Sequence, residues 1–259
     1  MAKCIRLGIL VPSSNTALEP LAQAIISDLS HVSVHFSRFT MTRINLDHGS
    51  LNQFQTDVIV NAARLLADAR VDIIGWGGNS SGWLGFQADE DLCSKITTVT
   101  GIPATTSVLA LNKALQIFSI QNLGLVSPYL HEVQESIIRN YASIGVDISC
   151  ESHLGLSDNL TIGMIDATTL ENSVSMVVHG GAEAVTTFCT NFQAAQQVAY
   201  WERKYKVAVF DTVSTVIWDM LQFCGVDTRG LASKWGQLFE GTPQKPCPGH
   251  EGFSKLKVL

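Results

Sequence analysis

Charge is scarce in this chain. Asp, Glu, Lys and Arg together make up 15% of its 259 residues, against roughly 25% in an average soluble domain. The 17 basic residues form no run and are outnumbered by 23 acidic ones, for a formal net charge of -6. Without a basic face to neutralise phosphates, nucleic acid is not an expected partner. Long apolar runs are missing too. Stretches such as Val71-Asp72-Ile73-Ile74-Gly75-Trp76 are short and interrupted, whereas a spanning helix needs about 20 nearly continuous apolar residues. The expectation is a soluble protein with no membrane partner.

Met1-Ala2-Lys3-Cys4-Ile5-Arg6 leads straight into a strand pattern, without the apolar segment and small-residue cleavage site of a secretory signal. This places the protein in the cytoplasm. The six cysteines, at 4, 93, 150, 189, 224 and 247, form no CxxC pair or tight cluster. In a reducing compartment they read as free and mostly buried thiols, and the sequons at Asn79 and Asn159 lose their meaning as glycosylation sites. GxGxxG and GxxxxGK[ST] are both absent. His31 and His35 stand four apart in a segment that reads as strand, where that spacing spans about 13 Å and suits no shared metal. No nucleophile elbow, Ser-His-Asp set, paired carboxylates or strand-end lysine stands out. A metal site is not expected.

What the chain does have is apolar bulk, 46% of its residues, laid out as short β-type runs alternating with helical patterns. That alternation predicts an α/β fold with parallel sheets flanked by helices. Strands are expected at Ile5 to Val11, His31 to Phe36, Asp72 to Trp76, Asn122 to Val126, Ala184 to Thr187 and Val207 to Phe210. The clearest helices are Gln53 to Ala69, Pro128 to Ser143, Ala167 to His179, Asn191 to Lys204 and Thr212 to Phe223. Beyond Gly225, Pro243, Pro246 and Pro248 suggest irregular structure.

A weak internal repeat pairs Leu7-Gly8-Ile9-Leu10-Val11-Pro12 with Leu123-Gly124-Leu125-Val126-Ser127-Pro128, and Ile102 to Ser107 with Val207 to Thr212. Two pseudo-symmetric lobes with an active-site cleft between them follow, since open parallel sheets bind ligands at the C-terminal ends of their strands. The turn Gly77-Gly78-Asn79-Ser80-Ser81-Gly82 after the third strand of the first half and Cys189-Thr190-Asn191 after its counterpart should line that cleft.

Cys189, at the end of a strand and ahead of the expected helix, would feel free N–H groups and the positive helix end, a setting for a reactive thiol. On position alone a plain buried cysteine is equally supported. The Gly78-Asn79-Ser80 turn offers N–H, amide and hydroxyl donors to an anion, although such clusters are usually just turns. Asn15, in Pro12-Ser13-Ser14-Asn15-Thr16, reads as a ligand donor or as a helix N-cap. Tyr129 reads as a cleft hydroxyl or as packing, and Trp76, Trp83 and Phe188 as core before pocket wall.

Taken together, Gly8 to Thr16, Gly78-Asn79-Ser80, Val126-Ser127-Pro128-Tyr129, Asp158 to Gly163, Cys189-Thr190-Asn191-Phe192 and Phe210-Asp211-Thr212 through Trp218 resemble the aspartate/glutamate racemase superfamily. The branch is the one holding maleate cis-trans isomerases and arylmalonate decarboxylases, and the resemblance spans nearly the whole chain. It implies two α/β lobes around a cofactor-free cleft, with residues 1–112 plus 207–259 as the first lobe and 113–206 as the second. Racemases and maleate isomerases of this group use one cysteine from each lobe. Here the second-lobe cysteine is Cys189, and Gly78 stands at the first-lobe position, the pattern of the arylmalonate decarboxylases.

The resemblance therefore implies a lyase that decarboxylates a substituted malonate-type diacid, with Cys189 protonating an enediolate held by neutral donors. Those donors are Asn15, Asn79, Ser80, Tyr129 and Thr190, with Asn159 and Asn191 as further ligand-binding positions. The expected partner is a small carboxylic or dicarboxylic acid; a homo-oligomer stays open. The alternatives are a maleate isomerase or racemase-like enzyme whose first cysteine is replaced in function by Ser80 or a neighbour, and a non-catalytic acid-binding relative. A redox-sensing thiol would lack a resolving partner at any evident spacing.

Overall fold

The computed structural model describes residues 4–41 and 56–241. Two four-stranded sheets share one plan: β2-β1-β3-β4 in the first and β6-β5-β7-β8 in the second, every pairing parallel. The first holds β1 (Ile5–Pro12), β2 (Val32–Phe39), β3 (Ile73–Trp76) and β4 (Ala104–Thr106); the second holds β5 (Leu123–Ser127), β6 (Glu151–His153), β7 (Ala184–Thr187) and β8 (Ala208–Asp211). The repeat in the sequence maps onto this plan: its paired segments are β1 with β5, and β4 with β8.

The central strands are continuous apolar runs because helices cover both faces. Leu7, Ile9, Leu10 and Val11 of β1 and all of β7 are buried. The edge strand β2 is more open, half-buried from Ser33 to Phe36 and exposed at Arg38. Gly8 is required at its place: a Cβ there would lie 2.9 Å from Val71 Cγ2.

Several helices start on side-chain caps. Asp166 accepts from Thr169 N–H at 2.8 Å ahead of Ala167–His179, and Asp211 accepts from Val213 and Ser214 N–H ahead of Thr212–Phe223, the N-cap chemistry that satisfies otherwise orphaned donors. The helix expected from Pro128 begins at His131, and the one expected over Gln53 to Ala69 is Thr56–Asp68, with residues 53–55 outside the described residues. Cys247 and the three late prolines are also outside them. Among the described cysteines only Cys189 is buried; Cys4 is exposed and Cys93, Cys150 and Cys224 are half-buried. The thiols are thus more open than expected. No helix among the described residues is long and apolar enough to cross a membrane.

One correction concerns the lobes. The chain from 207 on was expected to return to the first lobe, but β8 pairs with β7 from Ala184↔Ala208 to Thr187↔Asp211 and so completes the second sheet. The return begins with the helix after it. Thr215 Oγ1 on Thr212–Phe223 donates to Ser107 O at 2.9 Å, and Asp219 accepts from Thr105 Oγ1 at 2.6 Å and from Lys113 Nζ at 2.6 Å.

Candidate active site

Cys189 follows the end of β7 and is 2% exposed. The helix expected to begin at Asn191 starts later, as a 3-10 turn at Ala195–Gln197 running into Val198–Tyr205. The helix dipole is therefore not what bears on this sulfur. The N–H of Asn191 donates to Sγ at 3.4 Å, the Phe192 N–H donates to Cys189 O at 3.1 Å, and the Tyr129 hydroxyl interacts with the sulfur. Burial outweighs these contacts and pushes the thiol up to about 12, so at neutral pH the group is S–H. Burial also raises Tyr129 well above the usual phenol value, as does the neighbouring thiol. The Tyr129 ring is fixed edge-on to Trp83, centroids 5.2 Å apart.

Across the cleft lies the turn after β3. Asn79 is 4% exposed, and neither its Oδ1 nor its Nδ2 has a hydrogen-bond partner among the described residues. An amide buried with both ends unsatisfied costs on the order of 1–3 kcal/mol per group and calls for a reason; a polar ligand supplies one. Behind it, Ser81 Oγ and Thr106 Oγ1 donate to Asp89 at 2.7 and 2.5 Å, anchoring the turn to β4. Burial raises Asp89 to about 6 in spite of those donors. In the second lobe Asp211 plays the matching part, accepting from Thr187 Oγ1 at 2.8 Å, and burial raises it to about 7.

The predicted asparagines mostly tie the lobes together. Asn15 Oδ1 accepts from Ala17 and Leu18 N–H at 3.0 and 2.9 Å, and its Nδ2 donates to Thr190 Oγ1 at 3.2 Å. Thr190 in turn donates to Gly77 O at 3.0 Å. Asn191 accepts from Thr16 N–H at 2.8 Å and donates to Asn159 O at 2.5 Å, while Asn159 Nδ2 donates to Ser14 Oγ at 2.9 Å.

Asn15, Gly78, Asn79, Ser80, Tyr129, Asn159, Cys189 and Thr190 line one cavity; Asn191 does not, standing behind its wall. Pro12, Met41, Trp76 and Trp83 complete the lining. Phe188 is core. The space open to the centre of a water molecule is about 20 Å³, room for a single water, so any diacid that enters displaces wall side chains. No Asp, Glu, His, Lys or Arg lines the cavity among the described residues.

Met41 and Pro12 carried no signal in the sequence as cleft residues, and Trp76 was read first as core. The buried pair Asp89 and Asp211 was also missed, although the Asp-Thr that opens the helix at Thr212 is a capping signal in plain view.

The family model described as arylmalonate decarboxylase matches residues 7–239. The chain belongs to this family. It lies in the branch of the aspartate/glutamate racemase superfamily that holds maleate isomerases and arylmalonate decarboxylases. A maleate isomerase of Pseudomonas putida is 24% identical, covering 93% of this chain and 99% of its own. Among solved structures, a cysteine-to-serine variant of the Nocardia farcinica maleate cis-trans isomerase, with a covalently bound succinylcysteine intermediate, superposes with a TM-score of 0.82 at 20% identity over 91% of this chain and 98% of that one. Arylmalonate decarboxylase superposes with a TM-score of 0.74 at 18% identity over 91% and 99%. At these identities the structural likeness establishes the two-lobed fold.

Proposed function

We propose that the protein decarboxylates a substituted malonate-type diacid and protonates the product carbon from one side. The observation that carries this reading is the pairing of a lone neutral thiol, Cys189, with a facing wall at Gly78 that has no side chain to offer. One carboxylate sits among neutral donors, with the unsatisfied Asn79 amide foremost. The other leaves as CO2, and the electrons of the broken C–C bond pass into an enediolate whose negative charge falls on the oxygens those donors address. Preorganised donors of this kind are typically worth several kcal/mol. Cys189 then gives its proton to the carbon, the Tyr129 hydroxyl stabilises the thiolate by hydrogen bonding, and solvent restores the S–H. The balance is one diacid dianion and one proton in, one CO2 and one monocarboxylate out.

A second reading, maleate isomerisation, is favoured by overall likeness: the Pseudomonas putida isomerase matches nearly end to end. The chemistry of the cleft favours the first. The Nocardia farcinica isomerase holds a succinylcysteine even with another cysteine replaced, which takes two thiols, whereas among the described residues Cys189 is the one thiol lining this cavity. Isomerisation here would fall to a weaker nucleophile such as Ser80. Proton NMR of the enzyme with phenylmalonate and, separately, with maleate tests the choice. Loss of CO2 from the malonate is the expected result; conversion of maleate to fumarate with the malonate untouched would overturn it.

A further inference from the structure

The space above Gly78 is filled. A Cβ at that residue would lie 2.1 Å from Trp76 Cζ2, 2.4 Å from Cε2 and 2.6 Å from Cη2, inside the ring atoms themselves. The glycine is therefore held by its own chain two residues back, at the end of β3, where Phe39 packs on the same indole with centroids 5.1 Å apart. The atoms laid on Gly78 belong to the six-membered ring of the indole, and one of them, Cε2, is bonded to Nε1. Trp76 is fully buried, lines the cavity, and its Nε1–H has no acceptor among the described residues. Asn79, also lining the cavity, is likewise buried without partners among the described residues. Two adjacent orphan polar side chains facing one small cavity point to a ligand that supplies acceptors, since buried donors are otherwise paired.

We propose that Trp76 is the specificity-determining residue of this cleft: its indole occupies the place from which a first-lobe side chain would reach the substrate, and its Nε1–H donates to a substrate carboxylate. An indole N–H donates a hydrogen bond and accepts none. It holds the acid without exchanging a proton with it, so the substrate carbon meets a proton donor on the Cys189 side only. This deepens the decarboxylase reading and rests on it for the identity of the acid.

The test has a binding arm and an exchange arm. Affinities for malonate and for maleate are measured by titration calorimetry in the wild type and in Trp76→Phe, which keeps a ring and deletes the N–H. A charge-assisted hydrogen bond lost this way weakens binding by about tenfold to a hundredfold; unchanged affinity in Trp76→Phe overturns the proposal. In the second arm, deuterium exchange at the α-carbon of 2-phenylpropionate in D2O is followed in Gly78→Cys and in the double variant Trp76→Ala/Gly78→Cys. Exchange is expected in the double variant, where ring and clash are both gone, and not in Gly78→Cys alone. Exchange in the single variant, or its absence in the double one, overturns the proposal. A wild type that binds these acids but decarboxylates none sinks the decarboxylase reading alone, and one that binds neither acid sinks both.

Discussion

Asn191 Oδ1 accepts from the backbone N–H of Thr16 at 2.8 Å, joining the turn after β7 to the turn after β1 across 175 positions of sequence. The same oxygen takes Ala17 N–H at 3.2 Å, and the amide nitrogen holds Asn159. One buried side chain thus sets the relation between the segment carrying Cys189 and the segment carrying Asn15.

Replacing Asn191 by Ala removes the acceptor of the Thr16 N–H, while the Ala17 N–H keeps Asn15 Oδ1 at 3.0 Å, which should cost about 1–3 kcal/mol of stability. It should also lower kcat more than it raises KM, because it displaces reacting groups rather than removing a ligand contact. Urea denaturation and steady-state kinetics check both. Full kcat in a destabilised variant would show that the latch does not position the site.

The thiol is predicted to be chemically quiet. Held near 12 by burial, Cys189 is almost wholly S–H from pH 6 to 9, and the thiolate is the form that alkylates. Treatment with iodoacetamide at pH 8 should label Cys4 long before Cys189, as read by peptide mass spectrometry, with turnover intact after Cys4 is modified. Rapid labelling of Cys189 would mean that the sulfur is ionised.

Stability should rise on mild acidification. Asp89 and Asp211, at about 6 and about 7 when folded, hold protons more tightly than an unfolded carboxyl near 3.9. Their stabilising contribution is complete below about pH 4 and is lost as pH climbs through 6 and 7. The exposed Asp57, Asp166 and Asp227, whose values are lowered, act in the opposite sense and only toward the acid end. Thermal melts followed by circular dichroism should show Tm increasing from pH 8 to pH 5.5. The slope should be shallower in Asp211→Asn, which removes the titration and retains a capping side chain. A Tm that falls across this range would contradict the assignment.

Much of this architecture was legible. Runs such as Leu7 to Val11 and Ala184 to Thr187 are buried on both faces and carry no charged residue, so composition alone marks them as inner strands. β6 escaped notice, and β4 registered only through the repeat and not as a strand, because each is three residues long, too short for alternation to register. The helix Gln87–Thr100 was missed because its mostly polar surface leaves only Asp89, Leu92 and Ile96 buried. Cys189 was placed correctly at a strand end but assigned a helix dipole it does not feel, since Ala195–Gln197 intervenes before regular helix. The contact of Trp76 with Gly78 depends on one side-chain rotamer, and no pattern in the residues around it announces a ring folded back over its own chain.

Cys189→Ala should leave the fold intact while lowering turnover by about 10²–10⁴, the usual contribution of a positioned proton donor. Affinity for malonate should change little, because a neutral thiol adds little to holding a carboxylate. Loss of binding in step with turnover would make the sulfur a ligand contact and not the proton source.

The most direct measurement is the stereochemistry of the product. A malonate carrying two different substituents on its central carbon is turned over by the wild type, and the resulting monoacid is resolved by chiral chromatography. Delivery of the proton from Cys189 alone predicts one enantiomer in large excess; a racemic acid would contradict it.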